Sequence, residues 1–166
     1  MKARQMAMGG VFAALAVVLL FLGGIIPIGT FAGPMLASLL LLPLRRDFSA
    51  GLCVGWYAVV SVLGVGFCPD RETAFFFVFL GWYPIIKPKL DRLRFLPRAA
   101  AKLLVFNAAI ATLYAVLIFL FQLEAVLREL RETAGIWLIL MLLLGNGTFL
   151  LYDFLLSRLR VLMEQR

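Results

Sequence analysis

The chain contains no histidine and only two cysteines among its 166 residues. Without histidine it lacks the one side chain that titrates unperturbed near neutral pH and the commonest metal ligand. Cys53 and Cys68 fall on or beside one expected helix, and at about 1.5 Å of rise per residue they stand too far apart to bridge. Neither a disulfide framework nor a zinc site can be read from them. Acid is scarce as well, with nine Asp and Glu against 16 Lys and Arg. There is no HExxH, no GxSxG, no phosphate-binding P-loop and no pair of acids at ligand spacing. These absences argue against an enzyme, and no metal or other cofactor is expected.

What is abundant is apolar surface. The chain is 64% hydrophobic with a mean hydropathy of +1.03, where a soluble domain has roughly 45–50% apolar residues. That excess places it among integral membrane proteins, with the lipid bilayer as its first partner. The length suits a single transmembrane domain over residues 1–166, without internal repeats. A net charge of +7 also fits nucleic-acid binding, but the charges sit in short segments between apolar runs. That pattern belongs to membrane topology and to attraction by anionic inner-leaflet lipid, not to nucleic acid. Lys2 and Arg4 precede a long apolar run, as in a signal peptide. The run is about 20 residues, longer than a signal-peptide core, and others follow it, so it reads as a retained first span.

Six apolar runs point to an all-α, polytopic bundle of six transmembrane helices, the second and fourth short. The first covers Met6 to Ile26 without a charge, enough for about 30 Å of hydrocarbon. It carries Gly9, Gly10, Ala13 and Ala14, two small-residue pairs at four-residue spacing, a pattern that lets another helix approach closely. That helix belongs either to the same bundle or to a separate subunit. Pro27, Gly29, Gly33 and Pro34 then break the pattern, which reads as a re-entrant or tightly packed outer loop. The second run, Phe31 to Leu44, ends at Arg45, Arg46 and Asp47. The third covers Phe48 to Phe67, with residues 68–73 as an outer loop. The fourth, Ala74 to Ile86, is rich in aromatics, and Pro84 is expected to kink or end it. The fifth covers Ala101 to Leu120 and the sixth Gly135 to Leu156. Between them, Phe121 to Thr133 has the apolar–charged alternation of an amphipathic interfacial helix.

The densest positive charge lies between spans four and five. Lys87, Lys89, Arg92, Arg94, Arg98 and Lys102 face the single acid Asp91. With the N-terminus inside, this block joins Lys2, Arg4, Arg45, Arg46, Arg158, Arg160 and Arg166 on the inner side. Only Arg71, Arg128 and Arg131 remain outside. The asymmetry orients the protein in the cell membrane as a multi-pass chain with both termini cytoplasmic.

Polar groups within spans are costly in hydrocarbon unless partnered. Tyr83 and Lys87 are four residues apart, and Asn146 and Asp153 seven, so each pair shares a helix face. With Asn107 they form an expected inner polar cluster tying spans four, five and six together, with an ion pair between Lys87 and Asp153. It serves either as glue between helices or as a partner-docking or gating element. Toward the outside, Thr30, Phe31, Ser61, Phe75 and Trp137 are candidates for a small organic ligand, because aromatic walls with a few polar groups suit such a ligand. The same aromatics also suit an interfacial belt or a core.

Taken together, the small six-span chain resembles the substrate-binding S components of energy-coupling-factor transporters. The resemblance rests on the small residues Gly9, Gly10, Ala13 and Ala14, the uncharged break after span one, the short second and fourth spans and the segment between spans five and six. The phrases GWYPIIK, Phe106–Asn107 and GNGTFLLYD (residues 145–153) add to it. It covers nearly the whole chain and is architectural more than motif-based. It implies a subunit that captures a vitamin or other micronutrient from outside. Such a subunit docks by its first span onto a transmembrane coupling subunit driven by two ATPases, and binds no ATP itself. Signature residues of the riboflavin, thiamine and biotin types are not found. A different reading is a non-transporting scaffold, similar to the small rod-shape-determining inner-membrane protein, which has the same size, span number and basic inner loops. A small flippase or channel-like oligomer is a further alternative.

Overall fold

The structure, a computed structural model, describes residues 3–26, 29–119 and 135–164. These residues are almost all helical, with no strand among them. In chain order the helices are α1 (Ala3–Ile25), α2 (Gly29–Leu39), α3 (Leu41–Asp47), α4 (Ala50–Phe67), α5 (Arg71–Leu80), α6 (Tyr83–Leu90), α7 (Phe95–Phe119) and α8 (Gly135–Glu164). Four of them, α1, α4, α7 and α8, are long and apolar enough to cross a membrane. In place of unbroken second and fourth spans the chain has two divided helices, α2–α3 and α5–α6. The amphipathic segment expected over Phe121–Thr133 lies outside the described residues.

Both divisions follow from proline. Pro43 has no N–H to offer the carbonyl of Leu39, and its ring crowds that carbonyl. α2 ends at Leu39, and a single residue, Leu40, separates it from α3. Pro84 stands in the same relation to Leu80, the last residue of α5, and Gly81 and Trp82 form the joint. All three joint residues keep right-handed helical backbone angles. The path therefore bends rather than reverses, and at 1.5 Å per residue each divided helix is about 30 Å long. The divided helices are longer than the apolar runs indicated, because they extend into Arg45–Asp47 and Lys87–Leu90.

The loops expected on the outer side are correspondingly shorter. The break expected from Pro27 to Pro34 is helical from Gly29 onward, with Pro34 inside α2. Residues 68–73 are not all loop, since Asp70 caps α5. Its carboxylate accepts from the backbone N–H of Glu72 at 3.2 Å and of Thr73 at 2.9 Å, and from the Thr73 hydroxyl at 2.6 Å. Such a cap satisfies helix-end donors otherwise left without a partner. Ser49 plays the same part for α4. The basic block is divided too: Lys87 and Lys89 belong to α6, and Arg98 and Lys102 to α7.

The helices run up and down, as hydrogen bonds at both ends show. At one end Gln5 Nε2 donates to the Asp47 carbonyl at 2.6 Å, and Arg45 Nη1 donates to the Pro84 carbonyl at 2.9 Å. Pro88 cannot supply the N–H that the Pro84 carbonyl would meet in a regular helix, so Arg45 fills the gap and joins α3 to α6. At the other end the Cys68 thiol donates to the Leu20 carbonyl at 3.3 Å, and the Tyr114 hydroxyl donates to Glu72 at 2.6 Å. Burial pushes the Cys68 thiol above its ordinary range, and both cysteines are free and buried. Of the described cations, Arg71 alone lies at this second end.

α5 lies at the centre. Phe75, Phe76 and Leu80 pack with Tyr83, Phe106, Leu113, Phe149 and Tyr152. Phe77 turns the other way into a second cluster with Leu20, Leu41, Leu44, Phe48, Trp56 and Val60. The short helix is thus walled by protein on both sides, while the long helices keep much of their surface exposed. α1 and α2 touch backbone to backbone. A Cβ on Gly33 would lie 2.9 Å from Gly23 Cα, and one on Gly23 would lie 2.9 Å from the Gly29 carbonyl oxygen. Only glycine fits this seam.

Candidate functional site

At the end of the bundle opposite Arg71, α6, α7 and α8 bring five polar side chains together. Tyr83, Lys87 and Asp91 succeed one another at four-residue intervals, so α6 and its C-cap present them in a row. Lys102 comes from the second turn of α7 and Asp153 from α8. One oxygen of Asp153 accepts from the Tyr83 hydroxyl at 2.6 Å and from the Lys87 ammonium. Its other oxygen accepts from Lys102 Nζ at 2.8 Å. Lys102 also donates to Asp91 at 2.5 Å, and Lys87 pairs with the other Asp91 oxygen at 3.4 Å.

The arrangement is a closed ring of two ammonium and two carboxylate groups with no net charge. Lys87 is 3% exposed and Lys102 6% exposed. Buried charges are tolerated when paired, and each lysine here faces two carboxylates. The ring leaves neither lysine without a carboxylate. Chemically it is a clamp that joins three helices. Beside it Tyr83 meets Phe149 edge-on with ring centres 4.9 Å apart, and Phe149 stacks on Phe106 at 4.6 Å. Further along α8 the Tyr152 hydroxyl bonds to buried Ser38 of α2.

Of the residues expected in this cluster, Tyr83, Lys87 and Asp153 meet here. Asn107 and Asn146 do not join them. They bond to each other instead, at 2.8 Å in one direction and 3.3 Å in the other, and each also donates to a carbonyl one turn back in its own helix. The separation has a simple cause. Asn146 shares a face with Asp153 but lies about two helical turns, or 10.5 Å, away along the axis. Two members of the ring lie outside the expected cluster. Lys102 belongs to the basic block, and Asp91 is the single acid of that block, at the four-residue spacing from Lys87 that makes a helical ion pair.

The small-residue face of α1 divides. Gly9 is buried against the Phe48 ring, and its carbonyl accepts from Trp56 Nε1 at 3.0 Å. Ala13, four residues on, packs against the same cluster. Gly10 and Ala14 face outward, and nothing lies within 4 Å of a Cβ placed on Gly10.

The residues proposed for a ligand are spread over α2, α4, α5 and α8. Thr30 and Phe31 open α2, and Phe31 meets Phe76 edge-on at 5.2 Å. Phe75 is buried and stacks on Phe79 at 6.5 Å. The Ser61 hydroxyl on α4 is shut away from solvent. Trp137, near the start of α8, is 60% exposed. No protein-family profile, curated protein or solved structure matches the chain.

Proposed function

We propose that the protein is a six-traverse subunit of the cell membrane, with both termini cytoplasmic, that captures a small organic micronutrient from outside. It passes the micronutrient on while docked to a transmembrane coupling subunit driven by two ATPases, as S components of energy-coupling-factor transporters do. In this reading α2–α3 and α5–α6 are the second and fourth traverses. Their interrupted backbone is acceptable at membrane depth because protein surrounds it.

The observation that carries the proposal is the outward pair Gly10–Ala14 on a helix whose other small pair, Gly9–Ala13, is already used for internal packing. Without a hydrophobic force between helices in lipid, close backbone approach is what makes two of them associate. A smooth outward strip is the surface a partner helix needs. The closed ring of Lys87, Asp91, Lys102 and Asp153 supports the same direction of traffic. It seals the end that carries most of the positive charge, the cytoplasmic end, and leaves entry to the opposite end near Thr30, Phe31, Ser61, Phe75 and Trp137.

The second reading is a non-transporting scaffold, favoured by the concentration of polar construction at the cytoplasmic end. Mass spectrometry of small molecules released from the purified protein, together with identification of co-purifying subunits, separates the two. Capture predicts a released organic ligand and a coupling subunit with its ATPases. Recovery of neither, from protein shown to be folded, overturns capture in favour of the scaffold.

A further inference from the structure

Next to the neutral ring lies a recess with the opposite electrical character. It occupies about 300 Å³ where α3, α6 and the C-terminal part of α8 meet. Arg45, Arg46, Lys87, Arg92 and Arg160 line it, and among the side chains that the structure describes no Asp or Glu does. Asp91 and Asp153 are held by Lys87 and Lys102, and Asp47, though next to Arg46 in sequence, is not part of the wall. The remaining wall is apolar, made by Leu42, Leu156, Met163 and two prolines.

We infer that this recess binds a phosphate-bearing anion, with the headgroup of an anionic phospholipid of the inner leaflet as its source. Three features define the chemistry. The first is charge: the guanidinium groups of Arg45, Arg46 and Arg92 converge on one cavity, and no carboxylate is among its described lining side chains. The second is donor geometry. A guanidinium has five N–H donors in a planar fork suited to phosphate oxygens. Arg45 spends one bond on the Pro84 carbonyl, which fixes the position of its guanidinium, and Arg46 and Arg92 line the cavity from exposed positions. The third is the mixed wall. A free inorganic ion gains nothing from Leu42, Leu156 and Met163, whereas a lipid places its phosphate on the arginines and the first carbons of its tails on the apolar side. Basic pockets between helices at the cytoplasmic membrane surface are suited to such headgroups.

The inference shares the membrane reading with the proposed function but does not depend on substrate capture, so each can fail without the other. The experiment uses the full chain in nonionic detergent, with lipid retention followed by native mass spectrometry and unfolding followed by temperature. The probes are phosphatidylglycerol, phosphatidylcholine and inorganic phosphate. Phosphatidylglycerol is expected to remain bound and to raise the unfolding temperature, and phosphatidylcholine is not. Replacing two exposed cations together, Arg46→Gln with Arg92→Gln, is expected to weaken phosphatidylglycerol binding roughly 30-fold, from about one kcal/mol for each basic residue at an anionic surface. Arg46→Lys with Arg92→Lys is expected to retain binding within a few-fold.

Met163→Glu places a carboxylate on the rim without removing any arginine, and it is expected to weaken binding in the same direction. This second variant keeps the test open should the double glutamine variant not fold. If inorganic phosphate stabilises the protein as well as the lipid does, and the double glutamine variant abolishes the effect, the anion site stands and a soluble phosphate compound replaces the lipid as its source. Equal retention of phosphatidylglycerol and phosphatidylcholine, with no response to phosphate, overturns the inference. So does unchanged phosphatidylglycerol binding in the folded charge-removed variants.

Discussion

Asp153 and Asn146 stand about two turns apart on the same helix, yet their surroundings have little in common. Asp153 draws three donors from two other helices, and both of its oxygens are used. Asn146 reaches one residue of one neighbouring helix, Asn107, which is exposed. The same contrast recurs along α1, where Gly23 is pressed against the backbone of α2 while Gly10 faces open space. Similar residues thus do two kinds of work. At the charged end and at the α1–α2 seam they lock helices to one another. Along the flanks of α1, α7 and α8 they leave a surface open to lipid or to a partner. The difference identifies the parts of the chain that set the fold and the parts free to serve an interaction.

The largest effect expected from this contrast is at Asp153. Asp153→Ala leaves two buried ammonium groups with only Asp91 between them, and breaking a buried charge pair costs about 3–5 kcal/mol. Denaturant unfolding in mixed micelles should register that loss, and a change below 1 kcal/mol would erase the distinction between locked and open sites. Gly33→Leu comes next. Its side chain has to displace the backbone of α1, and overpacking of this kind costs about 1–3 kcal/mol. Thermal unfolding of the purified variant gives the value, and an unchanged midpoint would mean that the seam yields. Asn146→Leu should cost far less, about 0.6 kcal/mol, the average for hydrogen bonds between membrane helices. A loss as large as that of Asp153→Ala would move the asparagine pair into the locked class.

Much of this contrast can be seen in the sequence, and the reasons for the remainder are physical. Tyr83, Lys87 and Asp153 stand out because each is expensive in hydrocarbon and two of them share a four-residue spacing. Lys102 does not stand out, because a lysine at the mouth of a basic block looks the same whether it points to water or back at a carboxylate. Spacing places Asn146 on the face of Asp153 but says nothing of its depth, so the asparagines separate from the ring. Pro84 marks the break between α5 and α6. Pro43, by the same rule, marks the break between α2 and α3, but it lies inside a leucine-rich run that draws attention to hydrophobicity instead. Gly29 and Gly33 read as helix breakers in isolation, and only the approach of Gly23 shows why they are needed within a helix. The two small-residue pairs of α1 are offset by one residue, about 100° around the helix, and only the packing of Phe48 and Trp56 shows which pair turns inward.

The smallest expected effect on stability carries the largest consequence for function. Gly10→Leu combined with Ala14→Leu fills the outward face of α1 and touches no described core residue. The variant should unfold at the temperature of the unaltered protein. The decisive measurement is quantitative co-purification of membrane partners with this variant and with the unaltered protein, from membranes solubilised in mild detergent. Loss of a transmembrane coupling subunit and its ATPases from the variant alone is the predicted result. An equal yield of those subunits with both proteins, or their absence from both, would contradict the proposal that this face is where the protein meets its partner.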